Sequence, residues 1–443
     1  MLPPPRPGLV RGLGTWDGAL LTIGSIVGTG IFLTTSDMAR VLPHAGLILG
    51  VWLAGGLLTL AGALTYGELG AMFPRAGGMY HYLREAYGPL WGFLFGWAAF
   101  LVIMSGGIAA LGVAFGTYLA SFLPFVSIKA GACLAILVLT AINHLGLKEG
   151  AGVQNTLTVL KIGSIVALVA LGLLAPAPSK ADLAAPLGIA GGALLTAFGV
   201  AMIAALWTYD GWYGLTCSAG ELRDPGKSLP RGLILGTGIV IVLYMLLNLV
   251  YIRVLTVPEM AGASRIGEAA AGVLFGPTGA RLVSLAILVS TFGCLSATIL
   301  YSSRIYLPMA EDGVFFHSLA EVHPRFRTPV RSLWAQTAWA LLLTLSGTYE
   351  QLYTYVVFVS VMFHAATAAA VIVLRRTRPD HPRPYRTWGY PVIPALFILA
   401  SLLLVGNTLL EKPVESLLGL GLLALGLPAY LWFRKRTAAE SGE

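Results

Sequence analysis

The sequence predicts an all-α integral membrane protein with twelve transmembrane helices. The first ten form two inverted repeats of five helices each, and the last two are additional. Of the 443 residues, 57% are hydrophobic and 11% are charged, whereas about 25% of the residues in a soluble domain are charged. About twelve apolar segments reach the roughly 20 residues that a helix needs to cross a bilayer. The first and sixth of these segments are interrupted near their centres by residues that form poor helix.

The predicted spans follow one another with short loops and no dividing linker, so residues 1–443 form a single transmembrane domain. The spans lie near 16–40, 45–73, 88–123, 127–146, 153–175, 187–219, 232–257, 279–310, 329–346, 351–374, 388–410 and 414–433. Repeat 1 covers about residues 14–175, repeat 2 about 187–375, and helices 11 and 12 about 388–433. Because each repeat has an odd number of spans, the two repeats cross the membrane in opposite orientations.

Lysine and arginine are concentrated on one side of this topology. The chain has 28 of them; with the N-terminus placed inside, seven fall outside, Lys161 lies within a span and the other twenty fall inside. The outer seven are Arg40, Lys129, Lys180, Arg253, Arg265, Arg281 and Lys412. Positive charge is enriched in cytoplasmic loops, so we expect a multi-pass protein of the plasma (inner) membrane with both termini in the cytoplasm. The charges are spread over several loops, which argues against nucleic-acid binding.

Span 1 contains a dense group of glycine and hydroxyl residues, Gly24-Ser25-Ile26-Val27-Gly28-Thr29-Gly30. The spacing of Gly24 and Gly28 is also a helix-packing motif, but the density of the group favours an interrupted helix. Unpaired backbone groups are costly in lipid, so such a break persists only where protein, water or a ligand satisfies them. The half-helix that ends near Ile23 offers carbonyls to an ammonium, and the helix that resumes after Gly30 offers N–H groups to a carboxylate. An amino acid carries both groups.

Span 6 contains a second break, Thr208-Tyr209-Asp210-Gly211-Trp212, directly after Trp207. Paired breaks at matching positions of two halves are typical of a transporter site. Asp210 is either the cap of a half-helix or an intramembrane carboxylate that holds an ammonium or a coupled cation. Trp207 is either ordinary packing or a gate that closes over the substrate from outside.

Three further polar residues lie within spans. Lys161 lies about 12 Å into span 5 at 1.5 Å per residue, where it either snorkels to the inner interface or bridges the span 1 break to span 8 in place of a bound cation. Ser290 and Thr291 of span 8 either bond their own helix backbone or complete a cation site.

Signatures of other function classes are missing from the sequence. No HExxH, GxSxG or GxxxxGK[ST] motif is present, and no cofactor or metal is expected. His364 has no second histidine or carboxylate at metal spacing, so we expect it to pack. Cys133, Cys217 and Cys294 fall within spans and indicate no disulfide framework. A membrane-embedded enzyme and a passive channel are the alternatives from other classes, and both fit the two breaks poorly.

Four stretches together resemble the amino acid–polyamine–organocation superfamily. They are Gly24–Phe32, Tyr66–Tyr80, Trp207–Trp212 and Gly220–Arg231. Within that superfamily the chain is most similar to the L-type amino acid transporters, which exchange neutral amino acids without sodium and have the LeuT-like fold. The resemblance therefore implies a transporter of neutral L-amino acids, with an amino acid as the small-molecule partner.

The resemblance also implies roles for individual residues. The backbone at Ser25–Gly30 (Ser25, Ile26, Val27, Gly28, Thr29 and Gly30) holds the substrate carboxylate, and carbonyls near Ile23 and at Trp207–Tyr209 (Trp207, Thr208 and Tyr209) hold its ammonium. Trp207 is the gate, and Lys161 replaces a sodium ion. The loop 121–129 lacks the cysteine that links heteromeric light chains to a heavy subunit, so no such subunit is expected. Asp210 departs from the small residue of many L-type members, which leaves cationic amino acids or polyamines, with proton coupling or exchange, as the alternative substrates.

Overall fold

The computed structural model describes residues 12–75, 77–145, 147–176, 183–323, 326 and 328–441. Every regular secondary-structure element of these residues is a helix. The one pairing of extended backbone in these residues is an isolated parallel bridge between Leu13 and Leu222. Arg6, Arg11, Lys180, Arg325 and Arg327, which the prediction of orientation uses, lie outside the described residues.

Each of the twelve predicted segments contains at least one helix. The residues predicted as repeat 1 hold α1 (Thr15–Ile26), α2 (Thr34–Val41), α3 (Ala45–Met72), α4 (Met79–Tyr87), α5 (Pro89–Ala98), α6 (Met104–Phe122), α7 (Ile128–His144) and α8 (Leu147–Leu174). Those of repeat 2 hold α9 (Gly191–Tyr209), α10 (Gly214–Cys217), α11 (Pro225–Val254), α12 (Val257–Gly262), α13 (Ile266–Glu311), α14 (Val330–Ser346) and α15 (Tyr349–Thr377). The chain ends with α16 (Val392–Glu411), α17 (Pro413–Ala424) and α18 (Gly426–Ser441).

Eight helical stretches in the described residues are long and apolar enough to cross a membrane. They are Ala45–Met72, Pro89–Phe122, Gly191–Tyr209, Pro225–Val254, Ile266–Glu311, Tyr349–Thr377, Val392–Glu411 and Pro413–Arg436. Two shorter apolar helices, Ile128–His144 and Thr158–Leu174, correspond to predicted spans 4 and 5. The architecture is that of a multi-pass helical membrane protein.

The first predicted span is interrupted where glycine and hydroxyl residues are densest. Helix α1 ends at Ile26, and Val27 is extended with φ −72° and ψ 96°. A 3₁₀ turn at Gly30–Phe32 follows, and α2 then begins at Thr34. The sixth span is interrupted as well, because α9 ends at Tyr209 and α10 begins only at Gly214.

Several helix boundaries differ from the predictions. Helix α11 begins at Pro225 instead of near 232, because Asp224 occupies the N-cap position and proline is well suited to the first helical turn. Within α13 the helix is broken at Gly276, whose φ of 70° is not helical, so the part that begins at Pro277 starts close to the predicted 279. Residues 266–275 form a preceding helical part that the sequence assigns to a loop. Helix α4 lies in a segment that the sequence assigns to a loop, and it follows Gly78 with φ 49°.

Close backbone contact joins the first span to the seventh. A Cβ atom added at Gly232 of α11 would lie 3.1 Å from the carbonyl carbon of Gly18 in α1, and one at Gly236 would lie 2.6 Å from Cβ of Thr22. Glycine at these positions lets α1 and α11 approach closely. Helix α11 also packs along α3, so α1, α3 and α11 form one packed group beside the two breaks.

Candidate functional site

The two interruptions lie against each other. A Cβ atom at Gly211, whose φ is 90°, would lie 2.6 Å from the carbonyl oxygen of Ser25, and one at Gly30 would lie 2.5 Å from Oγ1 of Thr208. The hydroxyls of Thr34 and Thr208 are 2.8 Å apart. The non-helical segments of spans 1 and 6 are therefore in direct contact at one place in the fold.

A cavity of about 40 Å³ lies beside these segments, and we call it the central cavity. Its lining comes from the two breaks and from α6 and α13, and consists of Ser25, Ile26, Gly28, Thr29, Gly30, Ile103, Met104, Gly107, Leu111, Trp207, Thr208, Asp210, Gly211, Cys294, Thr298 and Tyr301. Eight of the residues predicted for a substrate site are in this lining. Ile23, Val27 and Tyr209 are not, and the Tyr209 hydroxyl donates to the carbonyl of Trp52 instead.

The backbone of the first break retains unused hydrogen-bonding groups. The N–H groups of Thr29, Gly30 and Ile31 have no hydrogen-bond partner in the part of the chain that the structure describes. They precede α2, where the positive end of the helix dipole adds to their attraction for an anion. A cavity wall of this kind is suited to a carboxylate.

Lys161 fills the space on the other side of the first break. Its side chain is 2% exposed, and its Nζ donates a 2.5 Å hydrogen bond to the carbonyl oxygen of Gly24. The snorkelling interpretation is therefore wrong: the ammonium points into the protein at the last turn of α1. Cys294 of α13 lies within electrostatic range of it, so Lys161 lies between span 1 and span 8.

Trp207 is held by aromatic residues of α15. Its indole Nε1 donates a 2.7 Å hydrogen bond to the hydroxyl of Tyr349, and its ring stacks on Tyr353 with centroids 5.9 Å apart. The Tyr353 hydroxyl donates in turn to Asp37 of α2 at 3.0 Å. These contacts hold Trp207 in the lining of the central cavity and join the two half-helices α2 and α9 to α15.

Asp210 follows the last residue of α9, and its N–H donates to the carbonyl of Trp207 at 3.1 Å. Asp210 is therefore the C-cap residue of α9, whereas the N-cap residue of α10 is Tyr213. Asp210 also lines the central cavity, and no Lys or Arg of the described residues forms an ion pair with it. It thus lies both at the end of a half-helix and in the cavity lining.

Ser290 and Thr291 do not line the central cavity. Thr291 donates to the carbonyl of Ile287 in its own helix at 2.7 Å, and Ser290 Oγ is buried without a partner among the described residues. The site expected of α13 lies one turn further on, at Cys294, Thr298 and Tyr301. Their spacing of four and three residues marks one face of a helix and is the signal in the sequence that would have identified them.

The contribution of α6 was also missed. A π-helical turn at Ala99–Ile103 contributes its last residue, Ile103, to the cavity lining and directly precedes Met104. Such turns are frequent at functional sites, but the apolar sequence around them carries no signal. His364 packs as expected, with ring centroids 5.3 Å from Trp212 and 5.0 Å from Tyr213, and all three cysteines are free thiols.

Comparison with known proteins gives a consistent result. The family model described as "Amino acid permease" matches residues 13–419. The chain is 34% identical over 440 residues to the serine/threonine exchanger SteT of Bacillus subtilis (strain 168), covering 98% of this chain and 99% of that protein. It is 31% identical to the human b(0,+)-type amino acid transporter 1, covering 97% of this chain and 89% of the relative. It is 28% identical to the human large neutral amino acids transporter small subunit 2, covering 95% and 80% respectively. The chain therefore belongs to the amino acid permease family of the amino acid–polyamine–organocation superfamily, and it is related to the L-type transporters.

Proposed function

We propose that this protein is a secondary transporter that exchanges neutral L-amino acids across the plasma membrane without sodium. The observation that carries the proposal is the meeting of two interrupted helices at one cavity, with unpartnered N–H groups on one wall and Asp210 on another. Related chains are named as amino acid transporters and exchangers, one of them for serine and threonine. Transport of a solute, and no enzymatic reaction, is the activity we assign.

In this proposal the substrate backbone binds between the two breaks. Its carboxylate accepts from the N–H groups of Thr29, Gly30 and Ile31, and its ammonium donates to carbonyls at the ends of α1 and α9. Lys161 holds the Gly24 carbonyl at the position where a sodium ion would otherwise neutralise it. A fixed ammonium at this place explains how exchange proceeds without a coupled sodium ion.

Alternating access moves spans 1, 2, 6 and 7 as a bundle against spans 3, 4, 8 and 9. The packed group of α1, α3 and α11 supports the assignment of the bundle. Trp207 is the outer gate, and its bond to Tyr349 keeps the central cavity closed to the outside. Opening of the outer side requires this bond to break.

We further propose twelve spans with both termini in the cytoplasm. The interrupted first span and the helices α7, α8 and α14 complete the count beyond the eight long apolar stretches. Arg253 donates to the carbonyl of Ala175 at 2.9 Å, and Arg40 donates to the carbonyl of Ala261 at 3.2 Å, so four segments assigned to the outer side pair with one another. The loop at 121–129 offers no cysteine for a disulfide-linked partner.

Exchange in reconstituted vesicles tests the proposal. Purified full-length protein in proteoliposomes should take up labelled L-serine much faster when the vesicles are preloaded with unlabelled L-serine than when they are empty, and sodium should not matter. A screen of the other amino acids as internal competitors then defines the preferred side chains. Equal uptake into empty and preloaded vesicles would rule out obligatory exchange.

A second candidate function follows from Asp210. Its carboxylate faces the central cavity without a basic partner among the described residues, which favours a substrate that carries an additional positive charge. On this proposal the protein exchanges cationic amino acids or polyamines, or couples them to protons. Asp210→Asn distinguishes the two candidates, because it should abolish transport of L-arginine and spare that of L-serine if the carboxylate binds the extra charge.

A further inference from the structure

A second, smaller cavity lies between α3, α9, α15 and α16. Thr59, Asp210, Trp212, Ser360, His364 and Ser401 contribute to its lining, and we call it the buried polar cavity. Asp210 is the one residue that lines both this cavity and the central cavity. It thus connects the central cavity to a set of buried polar side chains.

Two of those side chains have unused hydrogen-bonding atoms. His364 Nε2 and Ser360 Oγ have no hydrogen-bond partner among the described residues, although the side chains are only 6% and 3% exposed. Buried polar atoms are nearly always bonded, and those that are not point to a water or an ion. The buried polar cavity has room for about one water molecule. A water there can bond Asp210, Ser360 and His364 together.

The surroundings of this set are uncharged. The titratable groups that face Asp210 are Tyr66 from α3, Tyr213 beside the second break, and Tyr301 and Cys294 from α13. Tyr66 and Tyr213 also pack against the ring of His364, while α16 contributes Phe397 and Ser401 to the cavity. Lys161 is not available as a basic partner of Asp210, because its ammonium is bound to the carbonyl of Gly24. His364 is therefore the base that we assign as the partner of Asp210.

We propose that Asp210, His364 and an intervening water form a proton-binding site that takes up one proton when a net-neutral amino acid occupies the central cavity. Without the proton, the pair has a charge of −1, from the Asp210 carboxylate beside neutral His364. With the proton, shared between the carboxylate and Nε2 through the water, the pair is neutral. No other bond is made or broken, and the proton comes from the same aqueous phase as the substrate.

The charge balance explains why a proton and a substrate bind together. A buried carboxylate without a partner is unfavourable in the membrane interior, so closing the site over a substrate favours neutralisation of Asp210. A cationic amino acid supplies the compensating charge from its own side chain. A neutral amino acid does not, and the proton takes the place of that charge. This inference rests on the proposed function, because it requires an amino acid in the central cavity.

Binding of L-serine to the purified full-length protein in lipid nanodiscs tests the inference. Affinity should be constant at low pH and should weaken as the pH rises from about pH 5.5 to about pH 8.5, where the pair without substrate has lost its proton. A single linked proton weakens binding by at most about tenfold per pH unit. At the pH where this dependence is steepest, a pH-indicator dye in weakly buffered solution should report the uptake of close to one proton per L-serine bound.

Two variants and one control assign the proton to the pair. Asp210→Asn and His364→Gln should each bind L-serine with a much flatter pH dependence, and dye measurements should show proton uptake reduced or lost. His317→Gln changes an exposed histidine and should retain the wild-type slope. Each variant is judged by how steeply its affinity for L-serine changes with pH, under conditions in which it still binds. A uniform loss of affinity leaves this slope unchanged and is therefore distinguished from loss of the proton site.

The outcomes separate this inference from the proposed function. L-serine binding that is independent of pH in the wild type overturns the proton site and leaves the exchanger proposal standing. A pH dependence of binding as steep as that of the wild type in both Asp210→Asn and His364→Gln also overturns the proton site and leaves the exchanger proposal standing. Failure of the wild type to bind or exchange any amino acid overturns the proposed function, and the proton site with it.

Discussion

The ammonium of Lys161 lies 2.5 Å from the carbonyl oxygen of Gly24, at the end of the half-helix that precedes the first break. The two residues are 137 positions apart, and the side chain that joins them is buried. A charged donor at a helix C-terminus neutralises the negative end of its dipole. Lys161 thereby fixes the position of span 5 relative to the first half-helix of span 1.

The first prediction concerns this bond. Lys161→Met keeps the length and apolar stem of the side chain but removes its charge. We expect exchange to fall by at least about tenfold, since loss of a charged hydrogen bond of about 1.5–3 kcal/mol misplaces the Gly24 carbonyl. Folding should be largely retained, because burial of an ammonium is itself costly. Exchange in proteoliposomes and size-exclusion profiles measure the two effects.

The control for Lys161 is a lysine outside the site. Lys129→Met removes an outer ammonium that bonds the carbonyl of Leu345, and exchange should remain near the wild-type rate. If Lys161→Met also exchanges at the wild-type rate, the ammonium only fills space, and the proposed replacement of a sodium ion is wrong.

The site of Lys161 shows where sequence analysis stops. Its depth in span 5 follows from counting residues, but its direction depends on which face of α8 meets α1, and that is set by packing across the whole fold. The breaks were more predictable, because glycine and hydroxyl residues weaken a helix locally. Ser290 and Cys294 lie on the same face of α13, and which of them lines the cavity depends on the position of the cavity along the helix, which packing sets. The partner of Trp207 in α15 could not be predicted from either local sequence.

The second prediction concerns the gate. Trp207 Nε1 donates to Tyr349, and Cys294 lies in the cavity below. Tyr349→Phe removes the acceptor, and a hydrogen bond worth about 0.5–1.5 kcal/mol shifts the opening equilibrium by about two- to tenfold. In a background without Cys133 and Cys217, Cys294 in intact cells should therefore react faster by this factor with a membrane-impermeant thiol reagent.

Two further variants make the gate measurement specific. Tyr355→Phe removes a hydroxyl from the same helix at a position near Glu415 and should leave the rate of modification unchanged. Cys294→Ser should abolish the signal. An unchanged rate in Tyr349→Phe would show that the bond to Trp207 does not hold the outer side closed.

The third prediction concerns the contact between the two breaks. Gly211 has φ 90°, and an added Cβ would lie 2.6 Å from the carbonyl oxygen of Ser25. Gly211→Ala should cost at least about 2 kcal/mol, because it combines a left-handed backbone with a steric clash. Thermal unfolding of the purified protein and exchange should both be impaired. Gly238→Ala in α11 is the matched control, since nothing lies within 4 Å of its added Cβ, and stability should be unchanged or slightly higher.

If the thermal unfolding midpoint of Gly211→Ala equals that of Gly238→Ala, the geometry of the second break is contradicted. If the unfolding midpoint of Gly211→Ala falls while exchange per folded molecule is retained, the contact between Gly211 and Ser25 supports the fold but not the substrate site.

The last prediction concerns an ion-pair network around Glu68, near the C-terminal end of α3. Glu68 is fully buried and accepts two hydrogen bonds from Arg375 at 2.9 and 2.7 Å and one from the Thr387 amide at 2.7 Å. Arg383 lies 3.4 Å away. Glu68→Gln leaves two arginines without a charge partner, and breaking a buried pair in this way costs about 3–5 kcal/mol. Thermal unfolding should occur at a clearly lower temperature.

The control for Glu68 is a more exposed glutamate. Glu85→Gln removes an exposed pair with Arg378 and should cost no more than about 1 kcal/mol. Equal decreases in the unfolding temperature of the two variants would mean that solvent screens Glu68 as fully as Glu85. They would also mean that the network does not stabilise the packing of α3 against α15.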